Sequence, residues 1–409
     1  MNGFAELRSL VALMAMLPLF SCSQKNESSD LTTPVEALAP VETKQPNSDY
    51  KPAFAGQTRI SGVKTSAPYK VSVLTSSLSA PWGIAALPDG RFLVTEKAGK
   101  LRIVTASGTI GEPISGVPQV NASGQGGLLG ICLDPDFASN RMIYWSFSQP
   151  GNITAIAKAK LSADERTLEG VMVIYRATPL YNGSNHYGGR VVFDRNGNLL
   201  ASTGERSDLV TRPQAQSLES GLGKVVRITK DGSPVAGNPF ASQAGARPEI
   251  YSYGHRNPQG LAIHPETGDL WESEHGPRGG DEVNRVQAGA NYGWPTITYG
   301  IEYSGQRVGE GIQQKEGLMQ PVYYWDPVIS PSGMTFYSGD RIPEWRNNLF
   351  IGALSGMHIV RLVIEKDKVV GEERLLENEK QRFRDVTQGS DGALYAVTDQ
   401  GRLYRIDKE

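Results

Sequence analysis

An all-β fold of six repeated sheets follows from a recurring strand–turn–strand unit, from the turn chemistry inside it, and from the weakness of any helical period. The clearest unit is Pro81 to Glu96, two short apolar strands joined by Pro88-Asp89-Gly90. It recurs as Gly189 to Glu205 around Asn196-Gly197, as Gly260 to Glu274 around Thr267-Gly268, and as Asp385 to Thr398 around Asp391-Gly392. Looser copies run from Gly130 to Ser148 and from Gly333 to Ala353. Repetition of this kind marks a propeller or a solenoid. The 46 glycines suit many short strands and turns.

Taken in chain order, the first residues read as processing signal rather than fold. Leu10 to Phe20 is an apolar run of signal-peptide length after Arg8, too short to span a bilayer. It ends Leu19-Phe20-Ser21-Cys22, which resembles the lipobox of bacterial lipoproteins, so residues 1–21 are expected to be removed and Cys22 lipidated. An ordinary secretory signal with an incidental Cys is the other reading. Ser23 in place of an Asp points to the periplasmic face of the outer membrane. Residues 22–66 are rich in Ser, Thr, Pro, Lys and Glu and predict a flexible tether. The folded domain is expected over 67–409.

Within that domain Tyr69 to Leu74 alternates as a strand does, and its position before the first unit suits closure of the last sheet. Cys132 lies in the apolar strand Leu128 to Leu133 and is expected to be a small core residue. The net charge of −2 and the lack of a basic stripe exclude a nucleic-acid partner.

The candidate chemistry sits at the ends of the units. Asn185-His186-Tyr187 precedes the third, where a loop His is a general base or is satisfied within a turn. Arg256 and Asn257 precede the fourth, pinned between Gly254 and Pro258. An Arg fork suits a carboxylate or a developing oxyanion, or ties two blades together. Glu274 to Asn284 gathers carboxylates and carbonyls of the kind Ca²⁺ prefers, without EF-hand spacing. Gln125 is the one polar side chain of Gly124 to Gly130, a glycine-rich loop that lacks the Lys of a phosphate-binding loop. Arg382 and Arg384 alternate, so they share one face of a strand and suit an anionic ligand or a solvated surface.

Together these segments resemble the soluble pyrroloquinoline-quinone (PQQ) sugar dehydrogenases of the glucose/sorbosone dehydrogenase family, particularly its aldose branch in bacterial periplasms. The resemblance covers about residues 67–409. It rests on PWGIAALPDGRFLVTEKAGKLRIV, GQGGLLGICLDPDF, NHYGGRVVFDRNGNLLASTGER, GHRNPQGLAIHP, EHGPRGGDEVN, NYGWP and RFRDV occurring in that order. It implies a six-bladed β-propeller of four-stranded antiparallel sheets, with PQQ and Ca²⁺ as cofactors. It implies that His186 takes the proton from the C1 hydroxyl of an aldose, that hydride passes to C5 of PQQ, and that Arg256 stabilises the developing charge. Gln125, Arg256, Asn257, Tyr303, Ala353, Leu354, Ser355, Arg382 and Arg384 match cofactor positions. Gly276 and Pro277 match main-chain calcium ligands, and Glu282 and Tyr292 a further calcium position. The electron acceptor implied is a quinone or a cytochrome.

One position departs from the family pattern. An Ala-Leu-Lys segment reads Ala353-Leu354-Ser355, which removes a cation. Either Arg361 or Lys380 compensates, or PQQ is held weakly. Two other functions suit a propeller without that cation: a non-catalytic lipoprotein that binds a glycan or protein, and a calcium-dependent lactonase.

Overall fold

The structure, a computed structural model, describes residues 38–409. The expected signal peptide and Cys22 lie outside the described residues. The chain forms a six-bladed β-propeller.

Blade 1 holds β2 (Pro81–Ala86), β3 (Phe92–Glu96) and β4 (Lys100–Val104). Blade 2 holds β5 (Leu128–Leu133), β6 (Met142–Gln149), β7 (Ile153–Leu161) and β8 (Leu168–Arg176). Blade 3 holds β9 (Gly188–Phe193), β10 (Leu199–Thr203), β11 (Lys224–Ile228) and β12 (Ile250–Tyr253). Blade 4 holds β13 (Pro258–Ile263), β14 (Leu270–Glu274), β15 (Asp281–Val286) and β16 (Tyr323–Trp325). Blade 5 holds β17 (Pro331–Phe336), β18 (Leu349–Ala353), β19 (His358–Glu365) and β20 (Lys368–Leu375). Blade 6 takes β21 (Phe383–Gln388), β22 (Leu394–Thr398) and β23 (Leu403–Lys408), and its outer edge is β1 (Tyr69–Thr75), paired antiparallel with β23. The ring is thus closed by the N-terminal strand, as the sequence suggests.

Blade 1 departs from the four-stranded pattern, with three strands. An irregular run lies along its outer edge instead, with Gly111 N–H donating to Ile103 O at 2.8 Å and Ile114 N–H to Leu101 O at 2.9 Å.

The six sequence units are the two inner strands of the six blades, and β2, β5, β9, β13, β17 and β21 line the axis. The apolar core is divided into slabs between neighbouring sheets. Leu93 and Ile131 meet between blades 1 and 2, Trp271 and Ile351 between blades 4 and 5, and Val94 and Val397 between blades 1 and 6. Cys132 packs on the slab between blades 2 and 3 but is only half-buried, short of the full burial expected.

In every blade the register between the two inner strands slips once near the start of the innermost one. Such a bulge leaves an N–H without its ladder partner. In blade 1, Gly83 N–H donates to Thr95 Oγ1 at 2.8 Å, and the same hydroxyl donates to Leu129 O of blade 2 at 2.6 Å. Ser146 repeats this between blades 2 and 3, and Ser202 between blades 3 and 4. At these three junctions one hydroxyl therefore satisfies the bulge and ties adjacent sheets.

At the bulge four innermost strands carry glycine (Gly83, Gly130, Gly260, Gly333), and the other two carry Arg190 and Asp385. Space explains the glycines at the axis. A Cβ on Gly130 would fall 2.4 Å from Gly189 O, and one on Gly333 1.8 Å from Asp385 Oδ1. Asp385 accepts from Arg190 Nη1 at 2.6 Å and from Ile84 N–H at 3.0 Å, while Arg190 Nε donates to Gln259 O at 2.9 Å. This buried pair ties blades 1, 3, 4 and 6 across the axis.

Residues 38–66 correct the expected tether. They form an irregular strap along blades 4 and 5. Gly62 bridges Leu38 and Glu372, Glu42 pairs with Arg374 at 2.8 Å, and the side chain of Asn47 donates to Asp326 at 2.7 Å. Gln57 is fully buried, its side-chain amide donating to Pro321 O at 2.9 Å and its backbone carbonyl accepting from Tyr324 N–H. Composition concealed this because the strap is held by polar contacts rather than by an apolar face.

Candidate active site

A cleft of ≈ 490 Å³ opens where the innermost strands begin. Loops entering blades 2, 3, 4 and 6 bring Gln125, His186, Arg256, Arg382 and Arg384 to its wall, and Leu354 and Tyr303 complete it. Seven residues expected from separate segments therefore share one cavity. Tyr303 is 71% exposed and stands at the rim.

His186 is the most constrained of them. Its φ of +47° is one that non-glycine residues avoid. Its N–H donates to Gln125 Oε1 at 2.9 Å, and a Cβ on Gly204 would fall 2.1 Å from its carbonyl oxygen. Nδ1 lies 2.5 Å from Glu205 Oε1, which leaves Nε2 for the cleft. Burial, followed by the charges of Arg256, Arg206 and Arg212, holds the imidazole well below its usual range. Burial pushes the Glu205 carboxyl up to about 7. The pair is therefore a neutral base with an orienting carboxyl behind it.

Arg256 is fixed at both ends. Its N–H donates to Glu274 Oε2 at 2.5 Å, and its Nη1 donates to His275 O at 3.0 Å and Gly276 O at 2.7 Å. Its Nε is buried without a partner among the described residues, as is Nδ2 of Asn257. Asn257 lies behind the cleft wall, its Oδ1 accepting from Gly188 N–H at 3.1 Å. His275 also lines the cleft and is held neutral, at about 3, by burial and by His186, Arg256 and Arg384.

Arg384 and Arg382 both bind Asp399, at 2.8 and 2.9 Å, as alternation on one strand face predicts. Lys97 joins them on the wall. Lys97, Arg256, Arg382 and Arg384 thus face one carboxylate, Asp399, and the cleft carries an excess of positive charge. Ser355 is exposed and its Oγ lies 2.8 Å from Ser330 Oγ, the latter a lining residue. Ala353 is buried at the end of β18. Arg361 does not compensate for Ser355, because it is buried against Glu373 at 2.7 Å, and Lys380 is not in the lining.

The metal candidates fall just beneath. Asp281 grips the hairpin that carries Gly276 and Pro277. Its Oδ1 accepts from Gly276 N–H at 2.8 Å and its Oδ2 from Ile329 and Ser330 N–H at 2.7 and 2.6 Å. Gly276, Glu282 and Tyr292, with Glu274, line a small cavity of ≈ 10 Å³. Glu272 adjoins it, and Asn284 Nδ2 bridges Glu272 at 3.0 Å and Glu282 at 3.3 Å. Burial, then repulsion from Glu274, raises both Glu272 and Glu282 well above the carboxylate range. Glu272 Oε1 and Asn284 Oδ1 are buried acceptors with no donor among the described residues; these oxygens fit a hard cation, and His255 Nδ1 lies beside them, 3.2 Å from Glu274 Oε1.

The sequence reading passed over Trp82, Lys97, Glu205, Gln259 and Asp399. A positional signal could have found three of them. The residue at or just past the end of the second strand of a unit lies on the cleft wall or directly behind it: Lys97 after Glu96, His275 after Glu274 and Asp399 after Thr398 line the cleft, and Glu205 after Thr203-Gly204 backs His186.

The profile of the family described as Glucose / Sorbosone dehydrogenase matches residues 78–405. The chain belongs to the glucose/sorbosone dehydrogenase family. One relative in it is the aldose sugar dehydrogenase YliI of Escherichia coli K12, 44% identical over 344 residues, 82% of this chain and 92% of that one. Quinoprotein glucose dehydrogenase B of Acinetobacter calcoaceticus is 29% identical, over 80% of this chain and 84% of that one. Among solved structures, the PQQ-bound aldose sugar dehydrogenase of Streptomyces coelicolor superposes with a TM-score of 0.70 at 32% identity, covering 85% of this chain and all of that one. The family match begins after the strap.

Proposed function

We propose that this protein oxidises aldose sugars at C1 to lactones, with PQQ and Ca²⁺ as cofactors. The observation that carries the reading is a neutral His186 backed by Glu205 in a cleft with surplus positive charge. The unpartnered donors Arg256 Nε and Asn257 Nδ2, with Lys97, Arg382 and Arg384, fit a polyanionic quinone. When bound, PQQ supplies a two-electron acceptor, polarised by Ca²⁺ as a Lewis acid.

The chain itself does the rest. His186 Nε2 accepts the proton of the C1 hydroxyl, while Nδ1–H donates to Glu205 and stabilises the imidazolium that forms. Arg256 places its guanidinium where negative charge develops, held rigid by the carbonyls of His275 and Gly276. Arg382 and Arg384, held by Asp399, would pair with carboxylates of the bound cofactor. Gly276 and Pro277 would offer carbonyl oxygens to the ion, with Glu282 and Tyr292 serving a second ion in the small cavity.

The test is a titration of the purified protein with PQQ in excess Ca²⁺, followed by absorbance, with glucose-dependent dye reduction read alongside. Binding with turnover supports the reading. Turnover that persists in His186→Gln removes the assigned base, and failure to bind PQQ moves the protein to the ligand-binding propellers.

A further inference from the structure

We infer that Lys97 is an anchor for a carboxylate of the bound cofactor, taking the role left vacant at Ser355. The inference rests on the function proposed above.

Lys97 directly follows β3, and its backbone is held on both sides. Its N–H donates to Ala80 O at 3.0 Å and its carbonyl accepts from Leu128 N–H at 3.0 Å. Its stem lies against bare backbone, since a Cβ on Gly127 (φ +137°) would fall 2.2 Å from Lys97 O and 2.7 Å from its Cγ. The side chain is therefore directed by the fold rather than free to wander.

Its Nζ donates to Ala122 O at 3.0 Å and Gly124 O at 2.7 Å, the carbonyls just before Gln125. An ammonium has three donors. Two are taken by neutral carbonyls, and the third remains for the cleft that Lys97 lines. Arg382 and Arg384 already share Asp399, whereas Lys97, like Arg256, donates only to carbonyls and has no carboxylate acceptor among the described residues. Burial and the charge of Arg384 lower the ammonium's affinity for its proton. An anion placed between Lys97 and Arg384 would relieve that repulsion. Ser355, by contrast, is uncharged and engaged with Ser330, and Arg361 is committed to Glu373.

The experiment compares PQQ with its trimethyl ester, read by quenching of tryptophan fluorescence in Ca²⁺ without substrate. Lys97→Met should weaken PQQ by about ten- to a hundred-fold, the range of a lost charged hydrogen bond, and leave the ester nearly unchanged. Lys97→Arg should retain most affinity, and adding Ser355→Lys to Lys97→Met should restore it. A merely structural lysine would lose PQQ and ester in equal proportion, and that result overturns the inference. So does unchanged PQQ affinity in Lys97→Met. If the unaltered protein binds no PQQ, the proposed function falls and this inference with it; tight binding in both proteins sinks the lysine alone.

Discussion

Glu205 Oε1 sits 2.5 Å from His186 Nδ1, within a wall where the imidazole is neutral and the carboxyl titrates near about 7. Below that pH Glu205 takes a proton and no longer stabilises an imidazolium. Activity should therefore fall as pH drops through about 7. Glu205→Gln should abolish this acid limb and lower kcat by about 10²–10⁴-fold, as loss of an orienting carboxylate does. A pH profile of kcat/KM for both proteins checks it; an unchanged limb in the variant assigns the titration elsewhere.

Asp385 neutralises Arg190 on the axis, where Arg190 Nη2 already lacks a partner among the described residues. Asp385→Asn should leave a buried charge uncompensated and destabilise the fold by about 3–5 kcal/mol. Gly333→Ala should act on the same point by steric overlap with that carboxylate. Urea denaturation of each against the unaltered protein reads the loss.

The strap makes a separate prediction. Deleting residues 38–66 strips Asp326 of its donors from Asn47 and Ser48 and leaves Arg374 without Glu42. The thermal midpoint should fall by about 5 °C or more, since about 1 kcal/mol moves a large domain by 2–4 °C. An equal midpoint would show that the strap is not part of the stable fold.

The carboxylates Glu272, Glu274 and Glu282 predict stabilisation by Ca²⁺ even without PQQ. At a hundred-fold excess over its dissociation constant the ion should add about 2.7 kcal/mol. Chelation should reverse this, and Glu282→Gln should remove the response. Differential scanning calorimetry with and without chelator decides it.

His358 is buried, its Nδ1 donating to Gly356 O at 2.8 Å, and burial holds it neutral down to about 3. The unfolded chain protonates the same ring near 6.5. Between those values the unfolded state binds the extra proton, so stability falls as pH drops from 6.5 towards 3. His358→Gln should flatten that slope by about 1.36 kcal/mol per pH unit. Denaturation midpoints across this range measure it.

Much of this was legible because a propeller writes its repeat into turns and strand alternation. Asn196-Gly197 and Asp391-Gly392 marked inner hairpins, and Tyr69 to Leu74 marked the closing strand. The third strands of the blades were less visible, because they lack a shared turn. Site residues before or at the start of innermost strands, such as His186 and Arg384, stood out as polar groups beside glycine or on a strand face. Lys97 and Asp399 did not, because a charge after a strand looks like any solvated turn until six blades are superposed about one axis. The strap escaped for a related reason: Gln57 is buried and Asn47 held by partners 263 to 279 residues away, which no local pattern encodes.

The pairing of β1 with β23 sets an order of assembly. The partner of Tyr69 is Lys408, so the strand made first waits for the strand made last. Until the C-terminus emerges, β1 is an unpaired edge and blades 1 and 6 cannot meet at Val94 and Val397. Completion of the ring is a single late event, and a chain cut short before Leu403 has no partial version of it to adopt.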